Sequence, residues 1–406
     1  MTFEQSISEI FPPLFESFLR RLQGVPTAFH RFLCSRINWE DRLIGIKGPR
    51  GCGKTTLLLQ HIRETFPQLQ RVLYLSLDNL LLLNHSLYDL VSYFHAQGGT
   101  HLFLDEIHHY KGWQTLLKTI YDDFPALHIV YTGSSMLQID RSQGDLSRRQ
   151  MLYNLPGLSF REYLALEGIA EFPIVSWEEL LQNHLALSLE ITSRTKILPH
   201  FNDYCKHGYY PFYREVHNGF DFRLQQIIQQ ILESDYPSIE EISAPTVQKM
   251  RRMLMVLSQS VPQTPKMSEL FAMLETDRNQ GLKMLYALER GGLLSLLEDV
   301  TKNLKHLGTP QKIYLDNTNL MYALTPTVNS GTLRETFFCN QTKQLFKLNC
   351  PAQGDFLLDG KYLFEVGGPN KTFRQIKDLP ESYLAIDDIE NGHGNRIPLW
   401  LFGMLY

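Results

Sequence analysis

The sequence predicts an α/β fold: a parallel sheet with helices on both faces, followed by a helical region, a winged-helix unit and a small α/β nuclease-like domain. Three observations carry the first part. Apolar runs of strand character recur at residues 43–46, 71–78, 102–106 and 126–135. These runs are continuously apolar rather than alternating, as strands buried on both faces are. The stretches between them have room for covering helices, so βαβ units follow.

The first run, Leu43-Ile44-Gly45-Ile46, leads into Gly48-Pro49-Arg50-Gly51-Cys52-Gly53-Lys54-Thr55-Thr56 and then the helical Leu57-Leu58-Leu59-Gln60-His61-Ile62. This is strand, GxxxxGK[ST] loop and helix, the context that a phosphate-binding P-loop requires. Glycines let backbone N–H groups close around phosphate oxygens, and the helix N-terminus adds its positive end. Lys54 suits the β- and γ-phosphates, and the Thr55 hydroxyl suits a magnesium ion. ATP and Mg2+ are therefore the expected ligands.

The second half of such a site is an acid at the end of a buried strand, and Leu102-Phe103-Leu104-Asp105-Glu106 supplies it. Asp105 is expected to hold magnesium, and Glu106 to polarise the attacking water. The run at 126–135 ends in Thr132-Gly133-Ser134-Ser135. Thr132 or Ser134 is placed to sense a γ-phosphate or the attacking water; a turn built on Gly and Ser is the alternative. His108 and His109 are not expected to ligate a metal, because adjacent helical residues face apart and no third ligand stands at a suitable spacing.

Composition narrows the classes. At 406 residues the chain has room for two or three domains, each with its own core. No window approaches the roughly 18 uninterrupted apolar residues of a membrane span. The residues from Met1 to Phe11 lack a basic stretch followed by an apolar core, so no secretory signal is expected and a cytoplasmic location is. Cys34, Cys52, Cys205, Cys339 and Cys350 are scattered and odd in number, which argues for reduced thiols rather than disulfides or a zinc site. A net charge of −4 gives no global attraction to polyanions, so any nucleic-acid contact must be local.

Taken together, the GPRGCGKTT loop, LDEIHHYKGW, YTGSS and LSRRQMLYNLPGLSFREYL resemble a large prokaryotic group of AAA+-like ATPases that join this ATPase to a C-terminal domain of unknown function. The resemblance runs the length of the chain and implies ATPase activity. It also implies an arginine shortly before Leu158-Ser159-Phe160-Arg161-Glu162-Tyr163. Arg149 matches that position best, with Arg148 where glycine is usual. Such an arginine, from its own or a neighbouring subunit, would stabilise transition-state charge; a surface ion pair is the alternative.

Four segments are expected: residues 1–160 as the ATPase domain, 161–245 as a helical extension or lid, 246–306 as a winged-helix-like domain and 307–406 as a degenerate restriction-endonuclease-like domain. The cluster Gly208-Tyr209-Tyr210-Pro211-Phe212-Tyr213 reads as a packed corner. In the winged-helix segment, Asp277 with Gln280 makes a capping box for a helix from Arg278 to Arg290. On that helix Gln280, Lys283 and Arg290, backed by Arg278 and Asn279, are the residues to face DNA. The basic excess there is mild, and winged helices also contact proteins. In the last segment Glu335, Asp355 and Glu365 resemble the acids of a nuclease D…ExK motif, but Gly367 stands where the lysine belongs. The expectation is a fold that recognises without cutting. An active nuclease with Asp355 and Glu365 on the metal and Lys371 reaching in is the alternative. Pro398-Leu399-Trp400-Leu401-Phe402 reads as a buried closing strand.

The expected function is an ATPase, slow or regulated, that couples nucleotide state to a DNA- or protein-binding module. An ATP-gated metal-dependent nuclease and a nucleotide-binding homo-oligomeric scaffold are the competing readings.

Overall fold

The computed structural model describes residues 3–82, 85–133, 146, 148–216, 218–237, 242–259, 266–299 and 309–406. The chain divides into two compact units, Met1–Gly157 and Leu158–Tyr406.

The first unit is a five-stranded sheet of β1 (Leu43–Lys47), β2 (Val72–Ser76), β3 (His101–Asp105), β4 (His128–Gly133) and β5 (Met151–Asn154). The order is β2-β3-β4-β1-β5, and all neighbours run parallel. Side chains alternate between two cores, as a period of two demands. Leu43, Leu73, Leu75, Leu102, Leu104, Ile129 and Tyr131 fill one face. Ile44, Ile46, Val72, Tyr74, Phe103 and Val130 fill the other. Helices α3 (Leu87–Ala96) and α4 (Trp113–Asp123) cover the first face, and α2 (Lys54–Thr65) covers the second. Helix α1 (Phe3–Gln23) carries Pro12 and Pro13 inside it, and its spacing is helical: Ile10, Leu14, Phe18 and Leu22 are buried four residues apart. The α/β fold with a parallel sheet is therefore present. Neither α1 nor β5 is foreshadowed by the apolar runs of the sequence.

In the second unit, helices α5 (Phe160–Leu166), α6 (Trp177–Arg194), α7 (Ile197–Asp203) and α8 (Phe220–Gln230) precede α9 (Ala244–Gln259), α10 (Met267–Met273) and α11 (Arg278–Arg290). Ser159 starts α5 with a capping box to Glu162. Strands β6 (Leu294–Asp299) and β7 (Lys312–Leu315), helices α12 (Thr318–Leu324) and α13 (Ser330–Thr342), and strands β8 (Leu348–Cys350), β9 (Phe356–Leu358), β10 (Tyr362–Gly367), β11 (Ser382–Ile386) and β12 (Arg396–Pro398) complete it. One mixed sheet, β12-β11-β10-β9-β8-β6-β7, runs through the unit and takes strands from both sides of residue 306.

The helices expected as an extension of the ATPase domain share a core with that sheet. Phe160, Tyr163, Phe201 and Tyr204 pack with Phe337, Phe364, Trp400 and Phe402. The Tyr209–Tyr210 corner is packed: the Tyr209 N–H donates to Asn319 Oδ1 at 2.9 Å, and Asn317 donates to the Tyr210 hydroxyl at 3.0 Å. The closing segment differs from expectation. Its strand is Arg396–Pro398, and residues 399–404 form a buried 3-10 helix, since an unbroken apolar run specifies burial but not backbone. Among the described residues, no helix is long and apolar enough to cross a membrane.

Candidate functional site

The loop from Gly48 to Gly53 joins β1 to α2 at the C-terminal edge of the sheet. Gly51 and Gly53 adopt φ of 82° and 95°, which an L side chain resists. Gly48 is fixed by space: a Cβ there would stand 2.1 Å from the Leu155 carbonyl oxygen. Behind the loop, the buried Arg31 guanidinium donates to the carbonyls of Cys52, Pro156 and Gly157, tying the loop to the end of β5.

Lys54 is buried, and its ammonium donates to the carbonyls of Gly48 and Pro49, each at 2.9 Å. A lysine held on its own loop keeps a charge ready for an anion without leaving it unpaired. Thr55 Oγ1 donates to Asp105 Oδ2 at 2.7 Å. Strand order places β4 between β1 and β3, so Thr132 reaches both acids. Its hydroxyl donates to Asp105 Oδ1 and accepts the Glu106 N–H at 3.1 Å. Asp105 is 1% exposed, and burial, then the neighbouring Glu106, hold its carboxyl above the usual range. Glu106 sits at φ 54°, a left-handed conformation rare for a side chain of this size.

Lys54, Thr55, Asp105, Glu106 and Thr132 thus converge at one sheet edge. The hydroxyl-plus-carboxylate pair of Thr55 and Asp105 has the oxygen donors that magnesium prefers. Ser134 lies outside the described residues. Arg149 is elsewhere: it precedes β5, whose Met151 pairs with Ile44, and its guanidinium contacts the Asp122 carboxylate at 3.3 and 3.4 Å. That is the N-terminal edge of the sheet, opposite the phosphate loop, so Arg149 does not serve the loop of its own chain. A sequence motif fixes position along the chain but not which edge a strand presents.

Three residues escaped the sequence reading. One is Arg31. Another is Tyr74, whose hydroxyl donates to Asp105 Oδ2 at 2.8 Å; a lone phenol in an apolar strand was its only signal. The third is His108, which is buried, with Nε2 3.4 Å from Glu106 Oε2.

The second unit gathers another charged group. Lys312 Nζ lies 3.2 Å from Asp355 Oδ1 and 3.7 Å from Glu335 Oε2. The Tyr314 hydroxyl donates to Glu335 at 2.6 Å, and the Val366 N–H donates to Asp355 Oδ2 at 2.9 Å. Burial, then Asp355, raise the Glu335 carboxyl above its usual range. Lys371 Nζ is 2.7 Å from Glu365 Oε1, while the buried Oε2 makes no hydrogen bond among the described residues. A Cβ on Gly367 would stand 2.7 Å from Lys371 Cγ. The Lys371 stem thus packs where a side chain on Gly367 would stand.

On α11, Asp277 accepts from the N–H groups of Asn279 and Gln280. Arg278, Asn279 and Lys283 are exposed, whereas Gln280 and Arg290 are half-buried.

Comparison with known proteins agrees with the first site. Residues 40–164 match the family model of a AAA domain. The phosphate loop, the acid-bearing strand and this match concur on a nucleotide-binding, AAA-type P-loop domain. Residues 198–330 match a domain of unknown function, DUF8612. An uncharacterized protein of Methanocaldococcus jannaschii is 28% identical over 377 residues, covering 84% of this chain and 78% of its own. Among solved structures, AMPPCP-bound DnaA from Aquifex aeolicus is 17% identical and covers 68% of this chain and 86% of its own, with a TM-score of 0.26. ADP-bound NtrX from Brucella abortus is 12% identical and covers 67% and 71%, with a TM-score of 0.28. With TM-scores this low, the nucleotide site rests on the loop geometry and the AAA match.

Proposed function

We propose that the chain is an ATPase whose first unit binds and hydrolyses ATP and whose second unit is a DNA- or protein-binding module responding to the bound nucleotide. The observation that carries this reading is the convergence of Lys54, Thr55, Asp105, Glu106 and Thr132 around a loop whose glycines meet its steric demands. Lys54 would exchange its loop carbonyls for phosphate oxygens. Thr55 and Asp105 would hold a magnesium ion, which when bound neutralises charge on the phosphates. Glu106 would orient and deprotonate the attacking water, kept in place by the Thr132 hydroxyl on its N–H. Arg149 of a neighbouring copy is the candidate arginine for the transition state, which would tie hydrolysis to assembly.

The succession α9, α10, α11 and the antiparallel pair β6–β7 supports a winged-helix reading, with Arg278, Asn279 and Lys283 as the residues to meet a partner.

The test is phosphate release by the wild type and Glu106→Gln, with ATP binding measured in parallel and with duplex or single-stranded DNA added. The expected result is turnover by the wild type, and binding without turnover by the variant. Stimulation by DNA would name nucleic acid as the partner. Equal rates in the two proteins would overturn the assignment of Glu106.

A second reading is favoured by Lys371 on Glu365: a divalent-metal-dependent nuclease in which Asp355 and Glu365 hold the ion and Lys371 replaces the motif lysine. Supercoiled plasmid incubated with Mn2+ or Mg2+, with and without ATP, decides it. Cleavage lost in Asp355→Ala would establish the nuclease, and intact plasmid under every condition would reject it.

A further inference from the structure

Glu106, His108 and His109 have ligand chemistry that hydrolysis alone does not use. After β3, the left-handed Glu106 and the 3-10 turn Ile107–His109 fold the chain back on itself. One candidate ligand atom from each of the three residues then lies within 4.8 Å of the others. Among the described residues, this is the group of three or more His, Cys, Asp and Glu side chains with that property. His108 Nε2 and Glu106 Oε2 are 3.4 Å apart. Two ligands at about 2.0–2.1 Å from a tetrahedral ion stand about 3.4 Å apart, so this pair is already at chelating separation. The His108 and His109 rings lie side by side, with centroids 4.3 Å apart. Exposure is graded: the His108 side chain is buried, that of Glu106 is 19% exposed and His109 is open to solvent, so an ion has a way in.

We propose that Glu106, His108 and His109 form a binding site for a transition-metal ion, zinc being the best match, and that filling it arrests hydrolysis. Two imidazole nitrogens and one carboxylate oxygen suit zinc and leave its fourth position to water. Magnesium prefers oxygen ligands and stays with Thr55 and Asp105, so the two ions sort by donor type. A carboxylate that ligates zinc shares its negative charge with the ion and becomes a much weaker base toward the attacking water. Lys54 and Arg50 oppose a cation here, and Asp78 favours one. The arrest rests on Glu106 being the water-activating carboxylate; the metal site itself does not.

The experiment titrates the nucleotide-free full chain with Co2+, whose visible absorption reports tetrahedral coordination, and then displaces it with Zn2+. A parallel series measures zinc inhibition of Mg2+-ATP hydrolysis. His109→Ala removes an exposed ligand outside the hydrolytic machinery, so its zinc-free rate should match the wild type. The expected result is a cobalt spectrum that saturates near one equivalent and is lost in His109→Ala. Zinc should inhibit that variant at least about tenfold less potently, since even outer-shell partners of a ligand contribute that much. No tetrahedral spectrum, a spectrum unchanged by His109→Ala, or equal zinc inhibition of both proteins overturns the proposal. If the wild type releases no phosphate at all, the hydrolysis reading fails and the arrest fails with it, while the cobalt titration still decides the site.

Discussion

The Tyr74 hydroxyl and the Thr55 hydroxyl donate to the same oxygen, Asp105 Oδ2, at 2.8 and 2.7 Å. In the proposed magnesium-bound state Thr55 would turn toward the ion, which would leave Tyr74 as the donor on this carboxylate oxygen. Burial and the adjacent Asp105 hold the phenol well above its ordinary range, so it remains a donor throughout the working pH span. Tyr74→Phe should therefore raise the magnesium concentration needed for half-maximal hydrolysis by about tenfold, the equivalent of one charged hydrogen bond of about 1.5 kcal/mol. Metal-free nucleotide binding should be unchanged. A magnesium titration of phosphate release checks this, and superimposable curves would remove Tyr74 from the site.

Gly48 makes a different prediction because its constraint is steric. A Cβ 2.1 Å from the Leu155 carbonyl must displace backbone on one side or the other. Overpacking of this kind costs about 1–3 kcal/mol. Gly48→Ala should lower the Tm and abolish ATP binding together. Gly24→Ala, whose Cβ would meet nothing closer than 3.8 Å, should change neither. Retained nucleotide affinity in Gly48→Ala would show that the loop adapts.

Those two residues show what a sequence can disclose. Gly48 was legible because a phosphate loop constrains residue types over a few consecutive positions, and Lys54, Thr55, Asp105 and Glu106 follow from the same local rule. Tyr74, Arg31 and His108 were not, because each acts through a partner that only strand order or loop closure brings near. For the same reason the sequence does not tell at which sheet edge Arg149 stands. β5 was missed because its four residues, Met151–Asn154, are partly exposed at the sheet edge and lack the apolar run that marks the central strands. In the second unit the sequence shows Gly367 where the motif would have lysine, but the approach of Lys371 to Glu365 from a turn four residues on is a fact of packing.

Acid should weaken the first unit through its histidines. His61 stacks on Trp39 at 3.6 Å, and burial, then His101, hold its imidazole down to about 4; burial, then His128, hold His101 down to about 4 as well. The unfolded chain takes up these protons near pH 6.5, while the folded chain refuses them until near pH 4. Their contribution is fully present above about pH 6.5 and is lost as pH falls toward 4. The Tm of the full chain should fall between pH 7 and 4.5. His61→Phe keeps a ring against Trp39 and cannot titrate, so its fall should be shallower. Parallel slopes for the two proteins would assign the acid sensitivity to other groups.

Lys371 is the counter-charge of a carboxylate that is 1% exposed. Removing one member of a buried pair leaves the other without compensation, a loss of about 3–5 kcal/mol when both are buried. Because the Lys371 side chain is one-third exposed, water screens part of this, and Lys371→Met should cost about 2 kcal/mol. Gly367→Ala attacks the same contact from the other side, since its Cβ would collide with the Lys371 stem at 2.7–2.8 Å and push the ammonium off Glu365. The flexible stem is free to shift, so this variant should lose less than Lys371→Met. In the double variant the two losses should not add, because the methyl group no longer displaces a charge. Denaturant unfolding of the four proteins measures that coupling. Strict additivity would mean that Gly367 does not accommodate Lys371 and that the two positions act on Glu365 independently.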